Sequence, residues 1–176
     1  MLYRFCWLVT LLIAIQSTLS PASFGQLPEE LAILKQLVGK WDVVVTTQPE
    51  NKKSTGVREC KFVCGGRWLA TEFDSKIDGQ EYQSRSHQSF DVVKKIFVTT
   101  HVDSLVTAPM IFEGAYDKDK STFNMTCNTE LPDAGKVTFR SVYLMKDADH
   151  QVMEMFLSVG NGGEFKVLTM EYTRRK

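Results

Sequence analysis

The sequence predicts an all-β fold: an up-and-down antiparallel barrel of about ten strands with one short helix in front of it. Three observations carry that reading. From Lys40 onward apolar and polar residues alternate, the two-residue period of a strand with one buried face. Turn-forming clusters break the alternation at regular intervals: QPENKK, CGG, KIDGQ, YDKDKS, LPDAGK, KDADH and GNGG. Beyond residue 25 only PEELAILKQLV, residues 28–38, carries a helical period. Connections this short join sequential antiparallel neighbours. Closing such a meander on itself removes the edge strands that would invite aggregation. A two-sheet sandwich is the runner-up architecture.

Taken in chain order, residues 1–25 stand apart as a signal peptide. Arg4 supplies a charged start, CWLVTLLIAI (residues 6–15) a short apolar core, and Ser23 and Gly25 the small residues before a cleavage at Gln26. Cleavage after Ala22 is the alternative, and a retained anchor is less favoured. The apolar run falls short of the roughly 20 residues a membrane span needs. No second apolar segment follows, so residues 26–176 are expected to form a single soluble domain without a membrane span, secreted or periplasmic.

In the helix, Pro28 suits the first turn, Glu29 and Glu30 the positive end, and Gly39 the stop. Leu31, Leu34, Leu37 and Val38 make one apolar stripe. The predicted strands run over 40–48, 55–64, 67–77, 80–92, 95–103, 109–117, 120–130, 136–146, 150–159 and 164–174. Parity assigns faces: Trp41, Val43 and Val45 on the first strand; Cys60, Phe62 and Cys64 on the second; Phe123, Met125 and Cys127 on the seventh. Met153, Met155 and Leu157 share a face of the ninth, and Leu168, Met170, Tyr172 and Arg174 share one of the tenth. Methionine is flexible and polarizable, so an interior lined by it adapts to irregular ligands as readily as it fills a core.

The expected mature chain of 151 residues is large enough to bury a core of its own. Its net charge of −1 gives no concentrated basic face, which argues against nucleic acid as a partner. Three cysteines remain after export: Cys60, Cys64 and Cys127. On one strand Cys60 and Cys64 would stand roughly 13 Å apart, too far to bridge. A bond from Cys127 to one of them and three buried thiols are both open. A zinc site on CxxxC without a nearby histidine has little support, so no metal ligand and no cofactor are assigned.

Two ends of the sequence carry a resemblance. LVGKW after a short helix, and an arginine in the final EYTRR, resemble the calycin superfamily of lipocalin-like barrels. There a Gly-x-Trp opens the first strand and a last-strand arginine packs across the indole at the closed end. The matching residues are Gly39, Trp41 and Arg174. CGGRWLATEF, QSFDVVKKIFVTTHVDS and FEGAYDKDKSTFNM are similar to a mostly bacterial, often exported family known as a domain of unknown function (number 1579). The chain keeps Gly65 to Leu69, Asp103, Ser104, Glu113, Gly114, Tyr116 and Asp117 of that pattern. It departs at Ser89–Phe90–Asp91, where Gly-Tyr-Asp is expected, and at His101, where tryptophan is common. The resemblance implies a barrel over nearly the whole mature chain and implies no activity.

The local chemistry centres on THVDS. His101 and Asp103 project from one face of a strand, so the carboxylate can orient or charge the imidazole. Arg85 and His87 share a face of the preceding strand. Together the four make a candidate polar patch, inside the cavity or on the outer wall. The carboxylate pairs Glu72/Asp74 and Glu113/Asp117 are better read as surface groups. No nucleophile elbow, zinc-protease, phosphate-loop or dinucleotide motif is present. No catalytic residue is therefore assigned, and an enzyme is the less favoured class. The expectation is a barrel that binds a small hydrophobic or amphipathic ligand, with Arg85, His87, His101, Asp103, Met125 and Met155 as candidate contacts. The alternatives are a small enzyme built on Arg85, His87, His101 and Asp103, or a solidly filled barrel acting as a protein-interaction module.

Overall fold

The computed structural model describes residues 26–77, 79–160 and 162–176. The predicted signal peptide lies outside the described residues. A 3₁₀ helix over Glu29–Leu37 precedes ten strands. These are β1 (Gly39–Thr47), β2 (Lys52–Val63), β3 (Trp68–Ile77), β4 (Gln80–Asp91), β5 (Ile96–Asp103), β6 (Met110–Asp117), β7 (Thr122–Leu131), β8 (Gly135–Met145), β9 (His150–Val159) and β10 (Phe165–Arg174). Every strand pairs antiparallel with its sequence neighbour, and β1 closes the ring on β10, Trp41 opposite Arg174 and Val45 opposite Met170. The predicted up-and-down barrel is therefore observed, and the sandwich is not.

The leading segment is a 3₁₀ helix, not an α-helix. Its apolar residues Leu31, Leu34 and Leu37 recur every third position, the period of three residues per turn. All three are buried, and they lie across one end of the barrel in a core with Leu69, Phe97 and Phe123. Val38, predicted in the same stripe, is only half-buried. A second core of Trp41, Val43, Val45, Phe73, Met170 and Tyr172 fills the wall formed by β1, β3 and β10.

Trp41 joins the plug to the barrel. Its ring is fully buried, and its indole N–H donates to the Leu37 carbonyl at 2.9 Å, satisfying an acceptor that the helix end leaves open. The Arg174 guanidinium lies 4.0 Å from the indole centroid. It donates to the carbonyls of Val38 (2.6 Å), Gln36 (2.8 Å) and Ala148 (2.8 Å), tying the last strand to the helix. Gly39 has φ +122°, and a Cβ there would stand 2.9 Å from an Arg174 nitrogen, so this spacer must be glycine. Gly39, Trp41 and Arg174 thus meet at the end of the barrel that the helix covers.

Aspartates shape four of the connections in one way. Asp91, Asp103, Asp117 and Asp147 each accept, at Oδ1, the backbone N–H groups two and three residues on. Such side-chain turns are why Asp recurs in the connections. The same N–H donors help hold the Asp91 and Asp147 carboxyls below the usual carboxylate range. At Asp117 the Lys120 side chain is the larger cause.

The cysteines correct one expectation. All three are free thiols, and Cys64 is not buried: it stands exposed in the β2–β3 turn at φ +51°. Cys60 and Cys127 are buried.

Candidate functional site

Alternation in the strands leaves an interior cavity of about 430 Å³ that runs from Leu37 and Arg58 near the plug to Leu105 and Leu131 at the other end. Its two walls differ. On β3 to β5 the cavity-lining residues are Thr71, Phe73, Tyr82, Ser84, Ser86, Gln88, Thr99, His101 and Asp103. On β6 to β10 they are Met110, Phe112, Phe123, Met125, Phe139, Met153, Met155 and Met170, with the hydroxyls of Ser141 and Tyr143 among them. A register shift between Lys166 and Leu168 brings two consecutive residues, Val167 and Leu168, to the lining.

The candidate residues divide between inside and outside. His101, Asp103, Met125 and Met155 line the cavity. Arg85 and His87 do not: Ser84 pairs with Asp103 and Ser86 with His101, so the residues between them face outward. Arg85 lies against the outer wall, 3.0 Å from Asp74 and 3.9 Å from Glu72, and His87 is exposed. The predicted four-residue patch is therefore not assembled. Tyr82 and Phe90 give the signal that decides the face, because both bulky residues share parity with Ser84, Ser86 and Gln88. The exterior carboxylates behave as surface groups, Glu72 pairing with Lys61 at 3.5 Å and Glu113 with Lys94 at 2.6 Å.

Inside, His101 Nε2 stands 3.2 Å from Asp103 Oδ2, while Asp103 Oδ1 is held by the backbone N–H groups of Leu105 (2.8 Å) and Val106 (3.1 Å). The turn thus fixes the carboxylate, and the carboxylate fixes the imidazole. Burial, and after it the Asp103 charge, pushes the Tyr82 phenol up to about 12. This wall presents hydroxyl, amide, imidazole and carboxylate groups to the cavity.

The residue sequence reasoning missed is Arg58. It follows the parity of Cys60 and Phe62, and so points inward from β2. It is 6% exposed, with its guanidinium carbon 4.0 Å from the Tyr172 ring centroid and 5.0 Å from that of Trp41. It donates to the Tyr143 hydroxyl at 2.6 Å and to Gln151 Oε1 at 2.7 Å. Tyr143 donates in turn to the same Gln151 oxygen, and Gln151 Nε2 reaches the Gln36 carbonyl at 3.4 Å. Burial works against the guanidinium charge, but its neighbours Tyr143, Cys60 and Tyr172 outweigh that and raise its pKa. Burial also pushes the Tyr143 phenol up to about 12, so it is neutral beside the cation near pH 7.

Fold and site define a class: a closed ten-stranded antiparallel barrel, plugged at one end, with an interior cavity whose walls are unlike. Residues 27–174 match the model of the family described as "Protein of unknown function (DUF1579)", and the chain belongs to that family. Among solved structures the chain is similar to Rv2717c from M. tuberculosis at 15% identity and TM-score 0.63, over 86% of this chain and 100% of that one. That likeness shows the fold alone. A redesigned beta barrel, b11L5F_LGL, matches at 14% identity and TM-score 0.43, over 82% of this chain and 96% of that one. No curated protein matches the chain in sequence. Among the described residues no helix is long and apolar enough to cross a membrane.

Proposed function

We propose that this protein is exported and that its barrel holds a small amphipathic molecule. The observation that carries the reading is the cavity of about 430 Å³ with one hydroxyl-rich wall and one methionine–phenylalanine wall. That volume lies within the range of about 300–1,000 Å³ typical of small-molecule sites. A ligand with both polar and apolar surface satisfies the two walls together. Methionines 110, 125, 153, 155 and 170 supply a lining that repacks around an irregular shape. Export is supported by the charged start, short apolar core and small residues of positions 1–25.

The two alternatives lose their premises. An enzyme built on Arg85, His87, His101 and Asp103 needs the four in one pocket, and two of them lie outside. A module with a solidly filled barrel needs no cavity of this size. Native mass spectrometry of protein purified gently from its own host tests the binding reading. A stoichiometric small molecule, displaced in a variant whose cavity is filled by Ser141→Trp, is the expected result. Ligand-free protein that also fails to take up an apolar naphthylamine dye would refute it.

A further inference from the structure

We propose that the cavity takes its amphiphile by a carboxylate headgroup held at Arg58. This inference rests on the binding reading above and adds the chemistry of the ligand's polar end. Arg58 borders the cavity near the plug while being 6% exposed. A guanidinium has five N–H donors; the bonds to Tyr143 and Gln151 use two of them. Its Nε–H is buried and has no acceptor among the described residues.

Among the described residues the charge has no anionic partner either. The groups that act on it are Tyr143, Cys60 and Tyr172, none of them a carboxylate. Burial raises both phenols, which leaves them neutral near pH 7. Buried cations are ordinarily paired with an anion, because the cost of dehydrating the charge otherwise stands uncompensated. Aromatic stacking does not by itself explain the residue. Arg174 already stacks on Trp41, and it bonds three backbone carbonyls besides. Arg58 sits on the cavity side of the same indole with donors to spare. A carboxylate entering there would form charge-assisted hydrogen bonds, which are shorter and stronger than neutral ones. Its chain would then run toward Leu105 and Leu131 along the methionine wall.

The test compares decanoate, decanol and decyltrimethylammonium by calorimetric titration near pH 7, below their micelle limits. Decanoate should bind about tenfold to a hundredfold more tightly than decanol, the factor a hydrogen bond to a charged group supplies. The ammonium should bind most weakly. Arg58→Met should erase the advantage of decanoate over decanol, and Arg58→Lys should keep part of it. Equal affinity for decanoate and decanol in the natural protein would overturn the headgroup assignment while leaving the cavity reading intact. A preference that survives Arg58→Met would overturn it as well. Binding of none of the three would bring down the cavity reading, and this inference with it. If Arg58→Met does not fold, the comparison in the natural protein decides.

Discussion

Replacing Trp41 by alanine tests whether the indole is a structural plug. The ring is fully buried. An aromatic of this kind buries about 150–250 Å², which at ~25 cal/mol per Å² is worth about 4–6 kcal/mol in gross terms. Alanine keeps part of that, and measured truncations of buried Phe and Trp cost about 3–5 kcal/mol. The change also strands the Leu37 carbonyl, whose bond from the indole is 2.9 Å long, and removes the surface under Arg174. The loss of about 1 kcal/mol for the hydrogen bond places the expected cost in the upper part of that range, about 4 kcal/mol. For a domain of this size each kcal/mol moves Tm by about 2–4 °C, so the variant should melt about 8–16 °C lower. Trp41→Phe, which keeps most of the area and loses the N–H, should cost about 1–2 kcal/mol. Urea unfolding followed by far-UV circular dichroism reads these values without relying on the fluorescence of the deleted residue. Because Trp41 is not among the cavity-lining residues, probe binding by folded Trp41→Ala protein should persist. A variant within ~1 kcal/mol of the natural protein that has lost binding would refute the plug.

Three further expectations follow from named contacts. Gly114→Ala should fail to fold, since a Cβ would stand 1.9 Å from the Asn124 carbonyl oxygen on the paired strand, which backbone cannot vacate; soluble, cooperative melting near the natural Tm would contradict this. The buried phenols set an alkaline limit: Tyr82 and Tyr143 titrate at about 12 in the folded barrel and near 10 when unfolded. The unfolded chain then releases protons first, so stability is full below about pH 10 and falls as pH rises toward 12, which urea midpoints against pH would show as a decline. Of the three thiols in residues 26–176, Cys64 alone should react promptly with a disulfide reagent in native protein, with Cys60 and Cys127 joining only in denaturant; prompt reaction of all three would disprove the buried placement.

Much of the barrel was legible because its physics is local. Alternation and turn chemistry placed ten strands within a few residues, and parity put Trp41, Val43 and Val45 inward, where each is at most 1% exposed. Gly39, Trp41 and Arg174 were readable from the two ends of the chain because a positive φ, an indole and a guanidinium have few other uses in that order. The helix type is also written in the sequence, in leucines three apart at 31, 34 and 37. Strand β4 was harder. Its odd face carries Arg85 and His87, and its even face Ser84, Ser86 and Gln88, so chemical interest pointed outward while the bulk of Tyr82 and Phe90 pointed inward. Bulk decided, because burying an aromatic ring is favourable and burying an unpaired charge is not.

Arg58 breaks that last rule, and the exception is informative. In the plugged end every demand is met: Trp41 donates to Leu37, and Arg174 to three carbonyls. Among the described residues, Arg58 Nε is the one buried side-chain nitrogen or oxygen without a hydrogen-bond partner. Arg58 is held by Tyr143, Gln151 and the rings around it, yet no carboxylate is among the groups that act on its charge, and a buried cation is ordinarily paired with an anion. Such breaks in consistency are expected where a protein meets its ligand. The methionine–phenylalanine wall supplies shape and apolar surface, the His101–Asp103 wall supplies hydrogen bonding, and Arg58 supplies a positive charge with no anionic partner among the described residues. On the proposed reading, that asymmetry places the ligand's polar contact on the floor beside β2, and not on the polar strands β4 and β5 where the sequence drew attention.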